Sequence, residues 1–260
     1  MANTFLHQQS DQPLFGDIIW NKPEQRSLGG KLGIIGGNSQ GFSSVASAYS
    51  AAESAGAGVI RVLFPDSLRK TLKKVWPSGE FASSTKNGSL GSKALIELTE
   101  LEKWADYLLI SGNLGQNSET AILLEHFVNQ TKKPLTVCGD GVSILTQTPI
   151  VLINKDITLA VDLNQLSHLL KAIRYPMSVR SDMNIFQMAD LLHSLTQSYP
   201  WSVIIIHLDN AFTGYQGEVS LTPINDFTII QVATAATVWR MQQPIKPFEA
   251  MTSGIYSLVS

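Results

Sequence analysis

The chain has one cysteine, Cys138, in 260 residues. That excludes an internal disulfide framework and suits a reducing cytoplasm, so core packing has to hold the fold. Charge is scarce: 15% of residues are charged and the formal net charge is −2. Neither sign dominates, which gives no electrostatic case for a nucleic-acid or acidic-membrane partner. No apolar run approaches the length needed to cross a bilayer. Residues 1–13 are polar and lack a basic segment followed by an apolar one, so no signal peptide is expected. His7, His126, His168, His193 and His207 show no H-x-H or H-E-x-x-H spacing. They read as structural or surface groups, and no metal site is expected. The aromatics are scattered without a basic stripe, against a stacking platform for single strands. There is neither an internal repeat nor a low-complexity block.

Enough remains for a full core, because 44% of the residues are hydrophobic. Residues 31–65 are the most informative stretch. An apolar run at 32–35 is followed by Gly36-Gly37-Asn38-Ser39-Gln40-Gly41, then a small-residue helical pattern over Ser43–Ala55. Gly56-Ala57-Gly58 breaks that pattern before a β-branched run at 59–64. This predicts a parallel strand–turn–helix–strand unit whose turn faces a crevice. Before it, residues 1–30 read as an arm ending at Ser27-Leu28-Gly29-Gly30, pinned to the body by Phe15, Ile18, Ile19 and Trp20.

Beyond it, residues 76–91 are rich in Ser, Gly, Thr and Asn and predict a mobile connection. A helix over 92–104 is expected, capped by Ser92, with Leu95, Leu98 and Leu101 on one face. Strands at 107–110, 135–138, 157–161 and 203–206 alternate with helices at 119–130, 163–173 and 182–195. A hairpin at 211–221 turns through Gln216-Gly217, and helices at 228–241 and 248–258 close the chain. The pattern predicts an α/β fold: one domain over 31–260, with a mostly parallel central sheet, helices on both faces and a late antiparallel edge.

The first glycine turn admits several chemistries. Backbone amides at a helix N-terminus attract phosphate. Gly36, Gly41 and Ser43 have Walker A spacing, but Phe42 stands where the phosphate-binding lysine belongs, which argues against P-loop phosphoryl transfer. G-x-G-x-x-G is absent as well. The turn is equally consistent with close helix–sheet packing alone. Gly37-Asn38-Ser39-Gln40-Gly41 formally matches a G-x-S-x-G nucleophile elbow. Asp162 or Asp190 followed by His193 or His207 gives the required chain order, but the elbow follows a single strand, earlier than in hydrolases of that type. Cys138, at a strand end, reads as a small buried hydrophobe.

Taken in order, the turns resemble those of the ADP/ATP-dependent NAD(P)H-hydrate dehydratases, a ribokinase-like family that repairs hydrated nicotinamide cofactors. Residues 33–39 look like its first strand and glycine turn, and 48–65 like its small helix, A-G-A-G and strand ending in proline. Ala105-Asp106-Tyr107-Leu108-Leu109-Ile110-Ser111-Gly112-Asn113-Leu114-Gly115 resembles its D-a-x-x-I-G-P-G-L-G segment. Residues 135–145 resemble its D-A-D-A-L strand exit, with Asp140 at the second acid, and Pro247-Phe248-Glu249-Ala250 matches its P-x-E-A element. The resemblance runs from about Lys31 to the C-terminus. It implies a ribokinase-like fold and a homo-oligomer. It also implies ADP or ATP with Mg as cofactor and NAD(P)HX, the hydrated cofactor, as substrate.

The departures fall where chemistry is expected. The T-P-H-P-G-E segment corresponds to Ala160-Val161-Asp162-Leu163-Asn164-Gln165, and L-K-G to Ile206-His207-Leu208. G-G-T-G-D aligns with Phe227-Thr228-Ile229-Ile230-Gln231, placing Gln231 where the resemblance implies a catalytic aspartate. An amide takes no proton at useful pH, and losing a general base costs roughly 10²–10⁴ in rate. Asp226 is the candidate substitute. Binding residues implied are Gly37, Asn38, Ser39, Gly41, Gly112, Asn113, Gly115, Asp140, Asn164, His207 and Asn225, around a crevice at the strand C-terminal ends. The leading reading is a divergent, catalytically impaired relative that retains nucleotide or dinucleotide binding. The alternatives are an active lyase using Asp226 or Asp140, a serine hydrolase using Ser39, and an assembly or regulatory protein with an unused crevice.

Overall fold

The computed structural model describes residues 5–9, 11–76 and 78–260. Ten strands form one sheet: β1 (Leu6–His7), β2 (Lys31–Gly36), β3 (Val59–Pro65), β4 (Glu80–Ala82), β5 (Tyr107–Gly112), β6 (Leu135–Val137), β7 (Ile157–Val161), β8 (Trp201–His207), β9 (Asn210–Tyr215) and β10 (Glu218–Pro223). Their spatial order is β1-β10-β9-β8-β7-β6-β5-β2-β3-β4, and β9 alone runs against the rest. Parallel strands need cover on both faces, and the side-chain alternation supplies it. Ile35, Leu108, Ile110, Leu159 and Val203 enter one core, with helices Leu95–Trp104, Ser118–Gln130, Leu163–Ala172 and Ile185–Ser198. Ile34, Leu109, Ala160 and Ile204 enter the other, with helices Ser43–Ala55, Ile229–Gln242 and Pro247–Tyr256. This is the α/β architecture the sequence predicts.

Connectivity positions a crevice. From β2 the chain moves outward to β3 and β4, then returns to β5 on the other side of β2 and proceeds through β6 to β8. The β2/β5 boundary is therefore a topological switch point, where the connections leaving the two strands diverge and open a cleft.

Several local expectations are corrected. Residues 76–91 do not form a free connection: they carry edge strand β4, a bridge between Ser84 and Leu90, and a fully buried Leu90. Three strand residues and a polar turn leave too short a pattern to read. Ser92 does not cap a helix with its side chain; it begins a 3₁₀ turn, and its amide donates to Glu119 Oε1 at 2.7 Å. The helix expected from 182 begins at Ile185, behind a capping box made by Asn184 and Gln187. In the arm, Phe15, Ile18 and Ile19 pack on the core, whereas Trp20 is 89% exposed. The arm also supplies β1, which covers the edge of β10.

One buried polar seam crosses the second core. Thr136, Thr158, Ser202 and Tyr215 lie in register across β6 to β9. Arg240, its side chain 6% exposed, comes down on this row from the helix above. It donates to Thr158 Oγ1 at 2.7 Å, Ser202 Oγ at 2.9 Å and Asp156 Oδ1 at 2.7 Å. Truncating such a cation strands its buried partners. Arg240→Ala is expected to lower unfolding stability by about 3 kcal/mol in a urea titration; a loss below about 1 kcal/mol contradicts this account of the seam.

Candidate functional site

The turns after β2 and β5 meet backbone to backbone. A Cβ on Gly36 would lie 2.5 Å from the Gly112 carbonyl oxygen, so only glycine permits the approach. Gly37, at φ +90°, donates its amide to that same oxygen at 3.1 Å. Asn38 and Gly41 then bond amide to carbonyl in both directions at 3.0 Å. The Asn38 side chain accepts from Gln40 N at 2.7 Å and donates to Asn113 O at 2.8 Å.

Several amide donors around this junction are satisfied from within, although the start of helix Asp140–Thr146 has no side-chain cap. Asn113 Oδ1 accepts from Ser44 N at 2.7 Å, in the first turn of helix Ser43–Ala55. Asp140 Oδ2 accepts from Leu114 N at 2.9 Å and Gly115 N at 3.0 Å, the amides exposed after β5. Asn117 caps helix Ser118–Gln130 through Glu119 N and Thr120 N. Asp162 and Gln165 form a capping box on helix Leu163–Ala172. The start of helix Ile229–Gln242 follows the same rule. Thr228 N and Thr228 Oγ1 both donate to Gln231 Oε1 at 2.9 Å, and Gln231 N returns to Thr228 Oγ1 at 3.4 Å. These side chains hold the positions an external anion would take.

A cleft of about 620 Å³ opens at the switch point, lined by Asn38, Gln40, Asn87, Ser89, Asn113, Gly115, Gln116, Asn117 and Asp140. A second of about 430 Å³ adjoins it, sharing Gly115, Gln116, Asn117 and Asp140 and adding Ser118, Ala121, Ser143, Ile144 and Gln147. Of the residues expected at the site, Asn38, Asn113, Gly115 and Asp140 line the first cleft, and Gly37, Ser39, Gly41 and Gly112 build its turns. The others are absent from both linings. Asn164 is exposed on helix Leu163–Ala172. His207 is buried, with Nε2 held 2.7 Å from Met183 O. Asn225 and Asp226 are exposed before Thr228, and Asp226 has φ +57°. Leu208, where the resemblance has glycine, still takes φ +49°.

Sequence reasoning missed Asn87, Ser89, Gln116 and Asn117 as wall residues. Gln116 and Asn117 directly follow the recognised turn, whereas Asn87 and Ser89 arrive from the β4 loop, which carries no motif. That loop also claims Ser39, whose hydroxyl donates to Asn87 O at 3.0 Å and whose amide donates to Gly88 O at 3.0 Å. The serine thus clasps the loop. His193 is paired with Gly217 O and His207 with Met183 O, so neither histidine completes a triad with it. Among the described residues no cluster of three or more His, Cys, Asp or Glu is placed to hold a metal ion.

The fold is ribokinase-like. A ribokinase-like superfamily protein of Enterococcus faecalis superposes with a TM-score of 0.71 at 16% identity, covering 99% of this chain and 88% of that one. The ADP/ATP-dependent NAD(P)H-hydrate dehydratase of Bacillus subtilis, co-crystallised with ATP/Mg²⁺, superposes with a TM-score of 0.65 at 10% identity, covering 95% and 87%. In sequence, the bifunctional NAD(P)H-hydrate repair enzyme Nnr of Methanothermobacter thermautotrophicus is 26% identical over 124 residues. That stretch is 46% of this chain and 24% of the relative's length. No family model matches the chain. The neighbours thus include the family that the turns resemble.

Below the site, Cys138 is fully buried, and burial, with the nearby Asp140 charge second, pushes its thiol up to about 12. A raised pKa keeps the thiol protonated and unreactive in the folded state. A disulfide reagent at mildly alkaline pH is therefore expected to leave the native protein unlabelled and to label one thiol after denaturation. Rapid native labelling contradicts this placement.

Proposed function

We propose that the chain is a divergent ribokinase-like relative of NAD(P)H-hydrate dehydratase, one that keeps a ligand-binding crevice at the β2/β5 switch point and has lost dehydration chemistry. The observation that carries this reading is the hydrogen bonding of Gln231. In the resemblance, its position holds an aspartate acting as base, behind glycines whose amides face phosphate. Here Gln231 Oε1 is turned back onto Thr228 N and Oγ1. Ile229 and Ile230 are the first two residues of the helix, and their β-branched side chains stand where glycines would expose the backbone.

Two carboxylates could replace the base. Asp226 is exposed and absent from both linings. Asp140 lines both clefts; its Oδ2 accepts two main-chain amides, and its Oδ1 is buried without a hydrogen-bond partner. The residues present fit ATP with Mg poorly: no lysine or arginine lines either cleft, and the Ser44, Gly115 and Gln231 amides are bonded internally. Binding can outlast chemistry in such a scaffold, since positioning groups and proton-transfer groups are separate.

Incubation of the protein with hydrated NADH and ADP or ATP is expected to give no recovery of reduced-nicotinamide absorbance. Turnover that is abolished by Asp226→Asn overturns this reading in favour of a relocated base.

A further inference from the structure

We propose that the crevice binds an uncharged nucleoside, and that phosphate groups attached to it add no affinity. This deepens the binding reading above and rests on it. Two independent features lead to it.

The first is the side-chain chemistry of the walls. Gln40, Asn87 and Gln116 present carboxamides, while those of Asn38, Asn113 and Asn117 already serve internal hydrogen bonds. The one ionisable residue lining either cleft is Asp140. A lining without lysine or arginine, around a carboxylate, repels a diphosphate and offers it no counter-charge.

The second is the state of the backbone. Proteins that hold phosphate without cations use free amides at helix starts and glycine turns. Here five of those amides are already bonded: Ser44 N to Asn113, Leu114 N and Gly115 N to Asp140, Glu119 N to Asn117, Gln231 N to Thr228. The start of helix Asp140–Thr146 has no side-chain cap, but the Asp140 carboxylate itself stands in its first turn. A phosphate would have to displace an internal acceptor at each bonded amide, exchanging one hydrogen bond for another with little net gain.

What the clefts do offer matches a nucleoside. Carboxamides pair with the mixed donor–acceptor edges of bases, as they do in adenine recognition. Ala121 and Ile144 give the adjoining cleft an apolar wall for a base face, with Gln147 beside them. Gln40 and Asn87 are exposed at the mouth of the first cleft, where ribose hydroxyls can be met. Each cleft, at about 620 and 430 Å³, lies in the range used by small-molecule sites.

Calorimetric titration of the full chain with the four common ribonucleosides, their diphosphates and inorganic pyrophosphate tests this, at low and high salt. At least one nucleoside is expected to bind, with its diphosphate no more than about threefold tighter, little salt dependence and no binding of pyrophosphate. Gln116→Lys introduces a cation and is expected to shift the diphosphate-to-nucleoside affinity ratio about tenfold towards the diphosphate. The proposal is overturned if a diphosphate binds the native chain more than tenfold tighter with salt-sensitive affinity, if pyrophosphate binds, or if Gln116→Lys leaves the ratio unchanged. Each of those leaves the loss of chemistry standing. If no nucleoside and no diphosphate binds, the retained-binding reading falls with it. Turnover of hydrated NADH contradicts the loss of chemistry alone.

Discussion

One constraint underlies the site: amides at helix starts need acceptors, and at several starts here the chain supplies them itself. A helix leaves its first N–H groups without internal partners, and a ligand anion is one way to satisfy them. Asn113, Asn117, Asp162 and Thr228 take that role around the crevice end of the sheet, and Asp140 does the same for the turn amides after β5. The gain is local stability, about 1 kcal/mol for a typical cap. The consequence is that the Ser44, Leu114, Gly115, Glu119 and Gln231 amides are already engaged.

The architecture explains why so much of the site persists. Both faces of the sheet are buried, so the strands are fixed by two cores that have no dependence on the ligand. The β2/β5 switch follows from strand order, and the contact of Gly36 with Gly112 follows from the sheet. Gln231, at the third position of its helix, is the reciprocal partner of Thr228 in a capping box. At Leu208 the hairpin retains a left-handed residue where the resemblance has glycine.

The sequence disclosed those parts whose physics is local. Ser43–Ala55 and Ile157–Val161 were bounded correctly by periodicity, and the turns at Gly37, Gly112 and Gly139 by glycine placement. Asn38, Asn113 and Asp140 line the cleft because they sit on those turns. Asn87 and Ser89 were not legible, since they reach the cleft through the edge strand Glu80–Ala82, whose three residues carry no period. The arm strand Leu6–His7 was missed for the same reason. Most importantly, the sequence showed that Gln231 lacks acidity but not where its carbonyl goes. That answer needs the geometry of Thr228, three residues away.

Backbone amide resonances of residues 228–231, followed by NMR as ADP is added, test the central claim most directly. The account predicts that they stay in place, with Gln231 bonded to Thr228, while any perturbation falls on Asn38, Asn113 and Gly115. Large shifts at Thr228 and Gln231, showing that the cap opens to receive phosphate, would contradict it.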